Sequence, residues 1–146
     1  SYGYLNLIGD GVHNFIDGLI IAATFLVDVK LGVATTVAVS LHEIPQEIGD
    51  FGVLIYSGFK KSKALLLNFL VSLMAIIGGI AGYFLSLKNE ELIFYLLPFA
   101  AGGFIYIATS DLIPEIRKEK GIKKSCFLFF YFIIGIVIVY FADFFA

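Results

Sequence analysis

The chain has 146 residues, of which 60% are hydrophobic and only 15% charged, and its net charge is -2. A soluble domain is roughly 25% charged and a chain this short cannot hide so much apolar side chain from water, so a water-soluble domain is excluded and a lipid bilayer is the expected solvent. Ten Lys and Arg against twelve Asp and Glu leave no basic footprint for nucleic acid, and a single cysteine, Cys126, excludes an internal disulfide or a multi-cysteine metal site.

The sequence starts at Ser1 with no basic-then-apolar leader, and it is expected to be a piece of a longer protein. Five apolar stretches follow, near residues 4–27, 32–58, 64–86, 92–114 and 125–145. Each is close to the ~20 residues that cross a hydrocarbon core of roughly 30 Å. Backbone amides in lipid must be satisfied within their own segment, so each stretch is expected to be helical. The expected fold is therefore all-α, a polytopic membrane helix bundle of about five spans forming one domain over residues 1–146.

The first stretch carries Asp10, His13, Asn14 and Asp17, and a short connection with Asp28 and Lys30 ends it. The second holds His42, Glu43, Pro45, Gln46, Glu47 and Asp50, and Lys60, Lys61 and Lys63 follow. The third has Gly78 and Gly82 at helical spacing, and the fourth has Ala100, Ala101, Gly102 and Gly103; both sets are expected to let helix backbones approach closely. Asp111, Glu115 and Asp143 read as boundary or loop acids, and Cys126 as a packing residue. Eight Lys and Arg (Lys60, Lys61, Lys63, Arg117, Lys118, Lys120, Lys123, Lys124) lie on one side of the five spans and two (Lys30, Lys88) on the other. The richer side is cytoplasmic by the positive-inside rule. The amino end then starts inside and the carboxyl end finishes outside.

Acids inside the first two stretches demand an explanation. Asp17, Glu43 and Glu47 at mid-depth and unpaired would together cost roughly 8–10 kcal/mol on an insertion scale. No Lys or Arg lies at that depth in any span, so protonation, water or a bound cation must compensate. His13 and Asp17 are four residues apart, as are His42 and Gln46, and Glu43 and Glu47; each pair shares a helix face. Imidazole with carboxylate and amide oxygen suits zinc, iron, manganese or cobalt. Two helices that each bring a His and an acid can make one four-coordinate site, and the second polar row another beside it. Pro45 cannot donate to the carbonyl of Leu41, and a kinked helix is expected there, as at the broken helices where transporters place ion sites. The two His motifs also echo one another at a spacing of 29 residues.

These residues resemble the ZIP family of divalent-metal transporters. His13-Asn14-Phe15-Ile16-Asp17-Gly18 is similar to the family's fourth-helix motif HNxxDG, and His42-Glu43-Ile44-Pro45-Gln46-Glu47-Ile48-Gly49-Asp50 to its fifth-helix motif HExPHExGD. Phe99-Ala100-Ala101-Gly102-Gly103 and Asp111-Leu112-Ile113-Pro114-Glu115 resemble the seventh helix. The resemblance implies helices four to eight of an eight-helix transporter, with His13, Asn14, Asp17, His42, Glu43, Gln46 and Glu47 as the metal site. Gln46 stands where the motif has His. No prosthetic group is implied. The expected cargo is zinc, with iron or manganese as alternatives, and the expected partners are the bilayer, the amino-terminal helices and a second copy in a homodimer. A multi-pass place in the cell membrane, plasma or inner, is expected. Two other readings stay open: an intramembrane metalloprotease, because His42-Glu43 opens like HExxH, and a purely structural membrane bundle.

Overall fold

The computed structural model describes residues 2–89, 91–107, 109, 113–118 and 121–145. Asp111 lies outside the described residues, and so do the side chains of Glu115 and Asp143. The described residues form helices α1 (Tyr2–Val27), α2 (Val29–Tyr56), α3 (Lys61–Ser72), α4 (Met74–Lys88), α5 (Glu91–Ile107), α6 (Ile113–Arg117) and α7 (Ile122–Phe145). The fold is all-α, as expected, and α1, α2 and α7 correspond to the first, second and fifth apolar stretches.

Helix α1 is the centre of the bundle and touches α2, α3, α4 and α5. Its buried stripe runs Gly3, Leu7, Asp10, Asn14 and Asp17, at steps of three and four. The middle of that stripe is polar, while Leu5, Ile8 and Val12 face outward. A helix with polar groups inward and apolar groups outward is the arrangement a hydrocarbon solvent imposes. Exposed Phe127, Phe129, Phe130 and Tyr131 on α7, which rests against α2, fit the same solvent. By length and apolarity, Tyr2–Val27 and the continuous run Lys61–Lys88 qualify as membrane-crossing helices among the described residues.

Asp28 separates α1 from α2 and caps α2, its side chain accepting from the backbone N–H of Lys30 at 2.9 Å and of Leu31 at 3.1 Å. The tight connection makes α1 and α2 antiparallel. At the other end α2 closes on a Schellman turn: Gly58 has φ +88°, Phe59 N–H donates to the Leu54 carbonyl, and Gly58 N–H donates to that of Ile55. Phe59 then packs on the cluster of Leu7, Leu54 and Ala64, which ties α1, α2 and α3 together.

Helix α2 continues through Pro45, whose missing N–H removes one hydrogen bond from the helix. Two expectations are altered. The third stretch is divided at Leu73, where Ile76 N–H bonds back three residues to the Leu73 carbonyl. Two residues on, α4 makes its close approach to α1: a Cβ on Gly18 would strike the Ala75 carbonyl, one on Gly78 the Phe15 carbonyl, and one on Gly82 would lie 2.9 Å from the Leu19 carbonyl. Gly78 and Gly82 thus act as expected. The small residues of α5 do not: only Ala100 is buried, and a Cβ on Gly102 or Gly103 would meet nothing within 4 Å.

Candidate metal centre

Because α1 and α2 are antiparallel, position numbers fall along one helix as they rise along the other. His13 lies beside His42, Asp10 beside Gln46, and Asn6 beside Asp50. The i, i+4 pair His13 and Asp17 therefore meets the adjacent pair His42 and Glu43 at one level of the bundle.

At that level four ligand atoms converge, one from each of His13, Asp17, His42 and Glu43, all within 4.8 Å of one another. His42 Nε2 lies 3.2 Å from Asp17 Oδ2 and 3.2 Å from Glu43 Oε1, and His13 Nε2 lies 3.5 Å and 3.3 Å from the same two oxygens. The two Nε2 atoms are 3.3 Å apart. A tetrahedral zinc ion with bonds of ~2.0–2.1 Å needs ligand-to-ligand edges of about 3.3–3.4 Å. Five of the six edges match a single small tetrahedral cation.

The electrostatics point the same way. Asp17 Oδ2 and Glu43 Oε1 are buried and receive no hydrogen bond. His42 Nδ1 lies 3.3 Å from the Ala38 carbonyl, which can only accept, so Nδ1 carries a proton and Nε2 is the nitrogen turned toward Asp17 and Glu43. A carbonyl that accepts from the far nitrogen of an imidazole is how proteins orient a metal-binding His. α1 contains no Lys or Arg, and α2 has only Lys30 in its first turn. Four converging potential ligand atoms with no Lys or Arg beside them among the described residues are a group that could hold a positive ion.

A cavity of about 230 Å³ reaches the group between α1 and α5, lined by His13, Ile16, Asp17, Ile20, Phe99, Ala100, Gly103 and Tyr106. The α5 small residues thus line an opening beside His13 and Asp17.

The other three expected site residues turn elsewhere. Asn14 Nδ2 donates to Asp10 Oδ1 at 2.9 Å, Gln46 Nε2 donates to the same oxygen at 3.4 Å, and Glu47 accepts from Asn68 Nδ2. They form a second polar group, one turn along, with Asp10 and Asn68. Neither Asp10 nor Asn68 is given a role by the sequence reading. Asp10 lies one turn before Asn14 on the same stripe, which is a legible signal, and Asn68 is a lone amide in the run Ala64 to Val71.

A bundle that is polar within and apolar without, with a His and carboxylate cluster between two of its helices, is an integral membrane protein. The ZIP Zinc transporter family matches residues 2–143, and the chain belongs to that family. It is 40% identical over 141 residues to zinc transporter zipt-7.2 of Caenorhabditis elegans, covering 94% of this chain and 30% of that protein. It is 38% identical over 141 residues to zinc transporter ZIP13 of Pongo abelii, covering 94% of this chain and 42% of the relative. Against zinc transporter SLC39A7 of Rattus norvegicus the identity is 43% over 134 residues, covering 84% and 28%. The chain thus spans less than half the length of these relatives. No solved structure matches it significantly.

Proposed function

We propose that the chain is the metal-binding part of a divalent-cation transporter that moves zinc toward the cytoplasm. His13, Asp17, His42 and Glu43 are the direct ligands, and Asn14, Gln46 and Glu47 are the supporting members of the site on the same helix pair. The observation that carries the reading is the match between the 3.2–3.5 Å separations of the four ligand atoms and the edge of a tetrahedral zinc site. Two imidazoles favour zinc, iron and manganese over calcium or magnesium. The neutral imidazoles and ionised carboxylates are the binding forms, so protons compete with the ion and release is favoured by acid.

The five apolar segments cross the bilayer as one domain over residues 1–146, with the Lys-rich connections on the cytoplasmic side. The place of action is a cell membrane, plasma or inner. The rest of the longer protein, and a second copy of it, complete the assembly. No catalytic role is included: Gln46 occupies the position where HExxH needs its second His, and its amide donates to Asp10.

The test is uptake by proteoliposomes carrying the full-length protein and an internal zinc-sensitive dye, with iron(II) and manganese as competitors. Zinc entry that His13→Ala/His42→Ala abolishes supports the reading. Equal entry through wild type and double variant refutes it.

A further inference from the structure

A cavity of about 620 Å³ lies where the ends of α1 and α4 meet the start of α5. It is well apart from the metal centre: Val27, on its wall, is ten residues beyond Asp17 on α1, or about 15 Å along the helix axis. Its volume falls in the range of small-molecule sites, roughly 300–1,000 Å³. Leu26 and Val27 of α1, Leu87 of α4, and Ile93 and Leu97 of α5 make the wall apolar. Two polar features interrupt it. Ser86 is 2% exposed, and its buried hydroxyl has no hydrogen-bond partner among the described residues. Pro98 has no N–H, so the Phe94 carbonyl four residues earlier in α5 loses the donor that a regular helix would give it. Ser86, Phe94 and Pro98 all line the cavity. A buried hydroxyl and a carbonyl left short of a donor both cost free energy until something partners them.

We infer that this cavity binds a membrane lipid whose polar group is a single hydroxyl, as in a sterol. One hydroxyl serves both groups: its oxygen accepts from Ser86, and its proton goes to the Phe94 carbonyl. The apolar body lies against Leu26, Ile93 and Leu97. A phosphate or ester head only accepts and leaves the Phe94 carbonyl unserved, so the lining selects a hydroxyl over a phospholipid head. The depth agrees with this choice. Ser86 is two residues from the end of α4 at Lys88, and Val27 ends α1, which sets the hydroxyl near the membrane surface. Leu97 and Pro98 lie a turn deeper along α5 than Ile93 and Phe94, where the apolar body reaches. Phe99 and Ala100, next on α5, line the opening beside His13 and Asp17, so the lipid braces the helix that walls this opening. The site stands independently of the transport reading.

The test is photolabelling of the full-length protein in phospholipid nanodiscs with a diazirine-bearing cholesterol probe, the labelled residues being mapped by mass spectrometry and cholesterol and its methyl ether serving as competitors. The expected result is saturable labelling around Leu26, Val27, Ile93 and Leu97, displaced by cholesterol. The methyl ether keeps the oxygen but has no proton for the Phe94 carbonyl, and it should compete about two- to tenfold less well, the worth of one hydrogen bond. Ser86→Ala should weaken the probe by a similar factor. Because that variant removes a buried hydroxyl without a partner, its Tm in the absence of sterol should hold or rise, which separates lost binding from misfolding. Leu97→Trp fills the cavity from the α5 side and should abolish the saturable labelling. Labelling that does not saturate and spreads equally over exposed Phe127 and Phe130 of α7 overturns the site. So does absence of labelling in the cavity, which means that another segment of the longer protein fills it. Equal competition by cholesterol and its ether, with unchanged labelling of Ser86→Ala, overturns the hydroxyl assignment.

Discussion

His42 is the ligand whose loss should be easiest to read, because it forms three of the five close edges of the centre: 3.3 Å to His13, 3.2 Å to Asp17 and 3.2 Å to Glu43. In His42→Ala the two oxygens and His13 remain, and water must fill the fourth position. Loss of an outer-shell partner already weakens metal sites by about 10–100-fold, so removing a direct ligand should cost at least about 100-fold, or ~2.7 kcal/mol. At a free zinc concentration 100 times the wild-type Kd, zinc should stabilise the wild-type protein by about 2.7 kcal/mol through mass action. The same zinc then only equals the variant's Kd, and the stabilisation falls to RT ln 2, about 0.4 kcal/mol. With roughly 2–4 °C per kcal/mol for a protein of this size, zinc should raise Tm by about 5–11 °C in wild type and by about 1–2 °C in the variant. Differential scanning fluorimetry with and without zinc makes the comparison. A zinc-induced shift in His42→Ala equal to that of wild type would refute the reasoning, since it would mean that the convergence of the four atoms binds nothing.

Three further outcomes are expected. Gly78→Ala places a methyl group 2.8 Å from the Phe15 carbonyl carbon and 3.0 Å from Phe15 Cα, against an ordinary contact of 3.4–4 Å; α4 must lift from α1, and denaturation in detergent should show a loss of about 1–3 kcal/mol. Gly103→Leu meets no neighbour within 4 Å at its Cβ, so Tm should hold, while uptake into proteoliposomes should slow because the side chain enters the cavity beside His13 and Asp17. Asp28→Ala removes the acceptor of the Lys30 and Leu31 N–H groups, and chemical denaturation should show about 1 kcal/mol lost, with zinc affinity unchanged.

The central four residues are legible in the sequence because two local facts suffice. The i, i+4 spacing puts His13 with Asp17 on one face, and the length of the apolar runs puts both motifs at mid-depth. The short connection at Asp28 then brings the two helices together. The division of labour between the seven expected residues is less legible: Asn14, Gln46 and Glu47 have the right spacing but find Asp10 and Asn68, and Asn68 comes from α3, whose rotation about its own axis no local pattern fixes. The small residues show the same limit. Gly78, Gly82, Gly102 and Gly103 look alike in sequence, and only the neighbour each one meets separates a backbone contact from the wall of an opening. Pro45 and Leu73 invert the usual punctuation: the proline sits inside a continuous helix, and the interruption falls between Ser72 and Met74, where no breaker residue warns of it.

The interruption at Leu73 gives the two halves of one apolar run different owners. Ala64, Leu67 and Val71 belong to the cluster shared with Leu7 and Leu54, and Asn68 holds Glu47 of α2. Gly78 and Gly82, by contrast, are locked on the backbone of α1. The polar tie at Asn68 and the glycine contact at Gly78 thus fasten one apolar run to both ligand-bearing helices, α3 to α2 and α4 to α1.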